Sequence, residues 1–421
     1  MEYKKYKLGD ICKIFGRIGF RGYTTEDLVL SPSYGAISLS PSNIVDGIMD
    51  LSKCTYISWA KYEESPEIKI TPNDIVIVKT GNSYGRTAII RNVEHPMTLN
   101  PQFVVLKDIQ INPVYLAYFL KTDEFQKQIY GIVGGSAIPT LSQEDLASLI
   151  VRVPNENIQN TIADILDSLD GKIELNKLIN DNLEAMAKQL YDYWFVQFDF
   201  PNEDGKPYKS SGGAMVWNEK LKREIPSCFE VVNMGNLCDF RNGINYSKGE
   251  TGNDYQIVNV RNISSSRILL DGEDFDVITV PTSKAENYVL KPDDIIIARS
   301  GCPGSTRLLL SSANTLFCGF IICCSPNDSS MRNYLVYCLK QLEGTNATTS
   351  GGSILQNVSQ DTLKGLYVIV PEKQIIDKFN KTIELIFARM LNCLKESKAL
   401  TKQRNELLPL LMNGQASVNS D

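Results

Sequence analysis

The chain has 421 residues, 43 of them basic and 49 acidic, which gives a formal net charge of −6. This length suffices for two or three domains, and no run of about 18 apolar residues is present to form a membrane span. The first ten residues lack the apolar core of a secretory signal. The ten cysteines lack a framework spacing, so we expect reduced thiols, no metal site and a cytoplasmic protein.

The predicted elements begin with a mixed α/β region over residues 1–152. Short runs rich in β-branched residues, at 74–79, 87–90 and 103–106, predict strands. A proline at the first turn predicts a helix that follows Asn112, and Ser142 is a suitable N-cap for a second, short helix.

From about residue 155 to 196 the apolar residues recur at three- and four-residue steps, which predicts one long helix. At roughly 1.5 Å per residue it would be about 60 Å long, too long to pack on a single domain. We therefore predict a coiled-coil strut, with a plain core helix as the alternative. Gly171 and Asn176 interrupt the apolar stripe, where we expect a local kink or a polar layer.

Residues 199–227 are rich in Gly, Pro, Asn and Ser, and predict a linker. A second mixed α/β region follows over residues 228–370, and a second long helix over 371–415, where Pro409 and Gly414 mark its end. The first helical segment, 153–200, carries three basic and nine acidic residues, and the second, 371–421, carries eight basic and six acidic ones. This difference in charge favours contact between the two helices.

The second half of the chain repeats the first. Residues 134–136 and 351–353 are both Gly-Gly-Ser, and Pro154 and Pro371 close the two passages at the same offset of 217. Residues 71–77 and 291–297 share a Pro-x-Asp start followed by an apolar run, at an offset of 220. We therefore predict two similar domains related by an internal pseudo-twofold, which suits a ligand with two half-sites such as duplex DNA.

Three regions in each predicted domain carry residues suited to DNA contact. The loop after the Pro-x-Asp strand combines cations, hydroxyls and glycines that favour phosphate binding, and the glycines of the Gly-Gly-Ser passage allow close approach to a phosphate. Arginine and asparagine near each domain start could read guanine and adenine. The candidates are Arg17, Arg21, Lys79, Thr80, Asn82, Ser83, Tyr84, Arg86, Gly134, Gly135 and Ser136 in the first domain, and Arg241, Asn242, Asn245, Tyr246, Lys248, Arg299, Ser300, Ser305, Arg307, Gly351, Gly352 and Ser353 in the second.

The alternative interpretation of these three regions, the loop tips of each domain, is that they are ordinary hairpin turns and polar loops. Because the two copies share a scaffold and differ in their tips, we expect them to read different half-sites. Reading one face of the duplex on successive turns needs roughly 34–36 Å between centres, a spacing that the long helices could fix.

Signatures of catalysis are absent or broken in the sequence. An adenine methyltransferase would need a second proline in the Asn100-Pro101-Gln102-Phe103 segment, and no phosphate-binding loop of the P-loop type occurs. A nuclease reading of residues 292–294 lacks the acidic-x-Lys partner, and His95 fits a structural role better than a catalytic one. We expect a binding protein without a catalytic centre.

The order of these features, twice along the chain, resembles the specificity (S) subunit of type I restriction–modification systems. The resemblance rests on the duplicated start, the Pro-x-Asp strand with its Thr/Ser-Gly loop, the passage from Gly-Gly-Ser through Ser-Gln to proline, and residues 193–199 and 407–414. It covers nearly the whole chain. It implies target-recognition domains at 1–152 and 228–370, conserved helices at 153–198 and 371–415 that pair antiparallel, and a linker at 199–227.

The same resemblance implies partners and cofactors. Two modification subunits would dock on the helices and supply S-adenosylmethionine, and restriction subunits would add ATP- and Mg-dependent translocation and cleavage. The DNA target would be double-stranded and bipartite. Two alternatives stay open from the residues alone: a stand-alone DNA adenine methyltransferase, and a coiled-coil scaffold that binds only proteins.

Overall fold

The computed structural model describes residues 2–17, 22–45, 47–133, 140–247, 249–264, 267–272, 274–309, 314–343 and 358–416. The chain divides into two compact units. The first comprises Met1–Ile173 and Ala399–Asp421, and the second comprises Glu174–Lys398. Each unit contains one mixed α/β domain and a part of each of two long helices.

The elements of the first domain follow the chain in short segments. They are β1 (Lys4–Lys7), α1 (Leu8–Ile11), β2 (Lys13–Gly16), β3 (Leu28–Val29), β4 (Gly35–Leu39), β5 (Ile44–Val45), β6 (Ile48–Met49), β7 (Thr55–Ser58), α2 (Trp59–Glu63), β8 (Ile75–Val78), β9 (Thr87–Ile89), β10 (Met97–Leu99), β11 (Phe103–Lys107), α3 (Pro113–Phe119), α4 (Asp123–Val133), α5 (Gln143–Ser148) and β12 (Ile150–Val153). As predicted, Asn112 caps α3 and Ser142 caps α5.

The second domain and the helices complete the chain. They are α6 (Glu156–Tyr191), β13 (Met215–Asn218), β14 (Arg223–Pro226), β15 (Glu230–Asn233), β16 (Cys238–Asn242), β17 (Asn253–Val258), α7 (Val260–Ser264), β18 (Leu269–Leu270), β19 (Asp276–Val280), α8 (Thr282–Ala285), β20 (Ile295–Ala298), β21 (Thr306–Leu309), β22 (Thr315–Phe317), β23 (Ile321–Pro326), α9 (Arg332–Lys340), α10 (Gln360–Lys364), β24 (Tyr367–Val370) and α11 (Lys373–Met412).

The two domains share a core topology, although the sheets have four and four strands in the first domain and five and three in the second. The first contains sheets in the order β2-β11-β8-β9 and β10-β4-β7-β3, and the second contains β16-β23-β20-β21-β18 and β22-β17-β19. In each domain a two-stranded antiparallel ladder, β1-β12 or β15-β24, joins the start of the domain to its last strand. The duplication predicted from the sequence is therefore confirmed in the order and direction of the strands.

The Pro-x-Asp strand lies at the centre of each domain. All four residues of β8 are buried, and so are all four of β20. Successive side chains of a strand point to opposite faces. Ile75 and Ile77 accordingly pack with the helices of the first domain, while Val76 and Val78 pack with the β4 sheet. A strand covered on both faces is uniformly apolar, which accounts for this run in both halves.

The two long helices pair antiparallel within each unit. In the first unit, Leu166 of α6 packs in the same cluster as Leu411 of α11, and Arg404 of α11 donates to Asp170 of α6 at 2.7 Å. In the second unit, the amide of Asn176 donates to Glu396 at 3.1 Å. The mixed α/β class and the paired helices predicted from the sequence are therefore confirmed.

Details of both helices differ from the prediction. The first continues without interruption through Gly171, where a β-carbon would meet no other atom within 4 Å. Asn176 is 6% exposed and forms the polar layer that was the other expectation. The second helix passes through Pro409 before it ends at Met412, because a proline near the carboxyl end removes only one backbone hydrogen bond.

The segment predicted to be a linker is folded. The strands β13 and β14 within it form an antiparallel hairpin, and Phe200 stacks on both Tyr208 and Phe229, with ring centroids 4.6 and 4.9 Å apart. These aromatic side chains bury enough apolar surface to fix a segment whose Gly and Pro content indicated flexibility.

None of the described helices combines the length and the apolar character that crossing a membrane requires. All ten cysteines are free thiols, and Cys323 and Cys324 lie in β23. Burial raises the pKa of the Cys323 thiol to about 12.

Candidate nucleic-acid interface

The loop after β8 is anchored by backbone hydrogen bonds on either side of Lys79. The N–H of Lys79 donates to the carbonyl of Gln102 at 2.8 Å, and its carbonyl accepts from the N–H of Leu141 at 2.8 Å. Thr80 also bridges to Thr140. The loop is thus joined to the turn before β11 and to the segment that leads to α5.

The loop after β20 is anchored in the same way. The N–H of Arg299 donates to the carbonyl of Phe320 at 2.8 Å, and its carbonyl accepts from the N–H of Val358 at 3.0 Å. Lys79 and Arg299 therefore occupy equivalent positions in the two domains. A cation at the same backbone position of a duplicated scaffold is what the sequence repeat predicted.

Two glycines shape each loop. Gly81 and Gly85 have φ angles of +96° and +82°, and Gly301 and Gly304 have φ angles of +78° and +83°. This left-handed region is unfavourable for other residues, so the glycines fix the loop path and place the intervening residues at the surface.

The cations of these loops are available for a ligand. Among the residues that the structure describes, the side chains of Lys79, Arg86 and Arg299 form no hydrogen bond or ion pair. Arg86 and Arg299 are exposed and Lys79 is half-buried. Burial lowers the pKa of Lys79, because its ammonium is partly desolvated with no acidic partner to compensate. An anion such as a phosphate would supply that partner.

Arg86 and Arg307 both follow the glycines of their loops in the sequence, but the register of the strands shows that they are not equivalent. Thr87 pairs with Ile77, and Thr306 pairs with Ile297, so Arg86 is equivalent to Ser305 and not to Arg307. The second loop is one residue shorter, which the sequence comparison did not reveal. Ser305 is 6% exposed, so its hydroxyl is not displayed at the surface.

Arg307 is used inside the second domain. It is 4% exposed, and its two Nη atoms donate to the two carboxylate oxygens of Glu343 at 3.1 and 2.9 Å. Burial alone would raise the pKa of Glu343, but hydrogen bonds from Arg307 and Lys340 hold it below its usual value. This bidentate pair does not favour the DNA contact predicted for Arg307.

Arg17 is also buried, at 4% exposure. Its Nε donates to the carbonyl of Leu99 at 2.9 Å, and Nη2 donates to the hydroxyl of Thr98 at 3.2 Å. Burial lowers its pKa. Its guanidinium therefore joins β10 to the domain start and does not face solvent.

Arg241 stabilises the turn before β20. Its guanidinium donates to Asp294 at 2.6 Å, and the same carboxylate accepts from the backbone N–H of Lys291 at 2.8 Å. In the first domain, Lys107 donates to Asp74 at 2.7 Å in the same way. The aspartate of the Pro-x-Asp motif is thus a turn cap with a cationic partner, which explains the motif without any nuclease chemistry.

The remaining candidates lie at or near the surface. Asn82, Asn242, Asn245 and Tyr246 are exposed, and Thr80, Ser83, Tyr84 and Ser300 are half-buried. Tyr84 contacts the exposed ring of Tyr130 edge-on, with centroids 5.5 Å apart. Eight further candidates lie outside the described residues, namely Arg21, Gly134, Gly135, Ser136, Lys248, Gly351, Gly352 and Ser353.

Sequence reasoning overlooked the turn that carries Gln102 in the first domain and Phe320 in the second. Both side chains are exposed. The backbone carbonyls of Gln102 and Phe320 accept hydrogen bonds from the backbone N–H groups of the basic residues in the neighbouring loops. The sequence did contain a signal, since Asn100-Pro101-Gln102 is typical of a turn before a strand, as the structure confirms, but no contact with DNA was predicted for it.

Potential metal-ligating side chains are dispersed in the described parts of the chain. No three His, Cys, Asp or Glu side chains within them converge as metal ligands. The single histidine, His95, contacts the carbonyl of Gly35 at 2.8 Å and the rings of Tyr56 and Trp59. It contributes to packing.

Comparison with known proteins decides the family. The model of the type I restriction modification DNA specificity domain matches residues 1–185 and again 226–408. The chain belongs to this family. It is a DNA specificity subunit of a type I restriction–modification system, a non-catalytic subunit whose role is the recognition of a DNA target.

The sequence similarity to known relatives covers most of this subunit. It is 28% identical to the type I restriction enzyme MjaIX specificity subunit of Methanocaldococcus jannaschii, over 83% of this chain and 79% of the relative. It is 22% identical to the HindI specificity subunit of Haemophilus influenzae, over 98% and 99% of the two chains. The crystal structure of the S subunit from M. genitalium has the same fold, with a TM-score of 0.56 and 17% identity over 97% of this chain and 96% of that one.

Proposed function

We propose that the two domains of this specificity subunit each bind one half of an asymmetric, bipartite site on double-stranded DNA. One observation carries the proposal. The same loop, anchored by the same backbone hydrogen bonds, presents a cation without a described partner at Lys79 in one domain and at Arg299 in the other. A shared scaffold with a shared cation suits the phosphate backbone, which is the same at both half-sites.

The difference between the loop tips supports an asymmetric target. The first loop carries Asn82, Ser83 and Tyr84 between its glycines, and the second carries only Cys302 and Pro303. Sequence is read by side chains that reach base edges. Two domains with different tips therefore read different half-sites.

We assign the spacing of the half-sites to the long helices. At 36 and 40 residues they are about 54 and 60 Å long at 1.5 Å per residue, which exceeds the roughly 34–36 Å between successive turns of one face of the duplex. On this proposal residues 153–198 and 371–415 are conserved helices, and residues 1–152 and 228–370 are target-recognition domains.

The helices also offer surface for partner subunits. Within the second unit, Leu175, Leu178 and Met186 of α6 are 56%, 54% and 54% exposed, and Leu385 of α11 is 69% exposed. Apolar side chains at helical spacing on an exposed face favour protein contacts. We assign this face to two modification subunits, which would bring S-adenosylmethionine. Restriction subunits would bring ATP and Mg, and the whole complex would act on cytoplasmic DNA.

Mapping methylated adenines across the genome of the native host, with and without this gene, tests the proposal. Loss of one bipartite, asymmetric motif on deletion, and its return on complementation, is the expected result. An unchanged map in a strain that expresses the modification subunit would contradict the proposal and favour a scaffold without DNA specificity.

A further inference from the structure

The overlooked turn occupies the same place in both domains. In the first, the N–H of Phe103 donates to the carbonyl of Asn100 at 3.2 Å, and in the second the N–H of Ile321 donates to the carbonyl of Cys318 at 2.9 Å. Gln102 and Phe320 are therefore the third residues of equivalent four-residue turns. Each precedes the central strand that pairs with the Pro-x-Asp strand.

Each turn is joined to the proposed phosphate contact of its domain by one backbone hydrogen bond. The carbonyl of Gln102 accepts from Lys79, and that of Phe320 accepts from Arg299. A cation placed on a phosphate would hold the neighbouring turn next to the duplex. Such a phosphate contact fixes position, while a second side chain beside it can reach the bases.

The Gln102 side chain is oriented before any ligand binds. Asn100, which is 7% exposed, accepts from the N–H of Gln102 at 2.9 Å and donates to its side-chain oxygen at 3.2 Å. The side-chain oxygen keeps a second lone pair, and the Nε2 group keeps its donors. A held amide that offers one acceptor and one donor matches the edge of adenine in the major groove.

Phe320 offers a different chemistry at the equivalent position. Its ring is 64% exposed, although an aromatic side chain gains free energy from burial. At the adjacent Gly319, a β-carbon would lie 2.3 Å from the side-chain oxygen of Asn245, so a larger residue there would require the exposed Asn245 side chain to move. An exposed ring beside a cation suits an apolar contact with the methyl group of thymine.

We propose that Gln102 and Phe320 are the base-reading residues of their turns, so that this position sets one base pair of each half-site: adenine for Gln102 and thymine for Phe320. The inference rests on the proposed function, since it assigns the readout of the same DNA site. It accounts for two half-sites of different sequence on one duplicated scaffold.

Selection from a random duplex library by the full chain, assembled with its modification subunits, tests the first assignment. Gln102→Glu replaces the donor of the amide by a second acceptor, which favours the amino group of cytosine over adenine. We expect one position of one half-site to change from adenine to cytosine, with the other half-site unchanged. Gln102→Ala should lower the discrimination at that position by roughly tenfold to a hundredfold.

Replacement of thymine by deoxyuridine tests the second assignment, because it removes only the methyl group. For the wild-type complex, this replacement at one position of the other half-site should weaken binding by about fourfold, the effect of one buried methyl group. Phe320→Ala should bind both DNAs equally. Lys222→Ala, a substitution at an exposed lysine of the β13-β14 hairpin, serves as the control in both experiments.

The outcomes separate the two levels of the proposal. If the wild-type complex selects no motif, the proposed function itself is wrong. If it selects a motif that Gln102→Glu leaves intact or weakens uniformly, Gln102 is not a reader. If Phe320→Ala keeps the wild-type sensitivity to deoxyuridine, or the wild type has none, Phe320 is not a reader. Both side chains are exposed, so circular dichroism spectra should match the wild type.

Discussion

Substitution of Lys79 and Arg299 by alanine tests the phosphate contacts directly. Log affinity falls as log salt concentration rises. If each cation neutralises one phosphate, each single substitution should make this negative slope shallower by about 0.9, and the double variant should make it shallower by about 1.8. Between 50 and 200 mM salt, the wild-type complex should then lose about 12-fold more affinity than the double variant. The loss at low salt should be similar for specific and non-specific DNA, since phosphates carry no sequence.

The assay is fluorescence anisotropy of labelled duplexes with the assembled complex, repeated over a series of salt concentrations. Lys222→Ala is the matched control, because the Lys222 side chain is 73% exposed and its ammonium already pairs with Glu219. Two results would refute the reasoning: an unchanged salt slope in the double variant, or a change in the preferred sequence in place of a uniform loss. The second result would make Lys79 or Arg299 a base reader.

Three further predictions concern stability and spacing. Asp170→Ala removes hydrogen bonds from Tyr118 and Arg404 and should lower the free energy of unfolding of the first unit by about 3 kcal/mol, measured by urea denaturation, whereas exposed Asp164→Ala should change it little. The pKa of Glu343 is depressed in the folded protein. The pairing of this carboxylate therefore stabilises the second unit fully at pH values above the ordinary pKa of 4.5, and less as the pH falls below that value. The urea midpoint of Glu343→Gln should be lower than that of the wild type at pH 7 and should depend less on pH. Deletion of matched seven-residue segments from both helices shortens each helix by about 10 Å. The spacer between the two half-sites of the methylated motif should then shorten by about three base pairs, at roughly 3.4 Å each. A spacer of unchanged length would contradict a role of the helices in spacing.

The sequence determined the features that depend on local or periodic patterns. The apolar stripe predicts α6 because residues three and four apart share a helix face. The uniform apolar runs at 75–78 and 295–298 predict strands covered on both faces, and Ser142 predicts a helix start because its hydroxyl can accept a backbone N–H. The duplication appears in the sequence because each copy must satisfy the same local constraints.

Only the tertiary structure decided which of the candidate cations are paired within the fold and which have no partner among the described residues. Arg17, Arg241 and Arg307 are basic residues, as Lys79 and Arg299 are, so residue type does not distinguish the two groups. In the structure the first three donate to groups 82, 53 and 36 residues away in sequence. Arg17 and Arg307 are also almost fully buried. A charge enters the interior only when a partner is placed there by the fold. The same holds for the turn with Gln102 and Phe320, whose position beside the cationic loop depends on hydrogen bonds between segments that are about 20 residues apart.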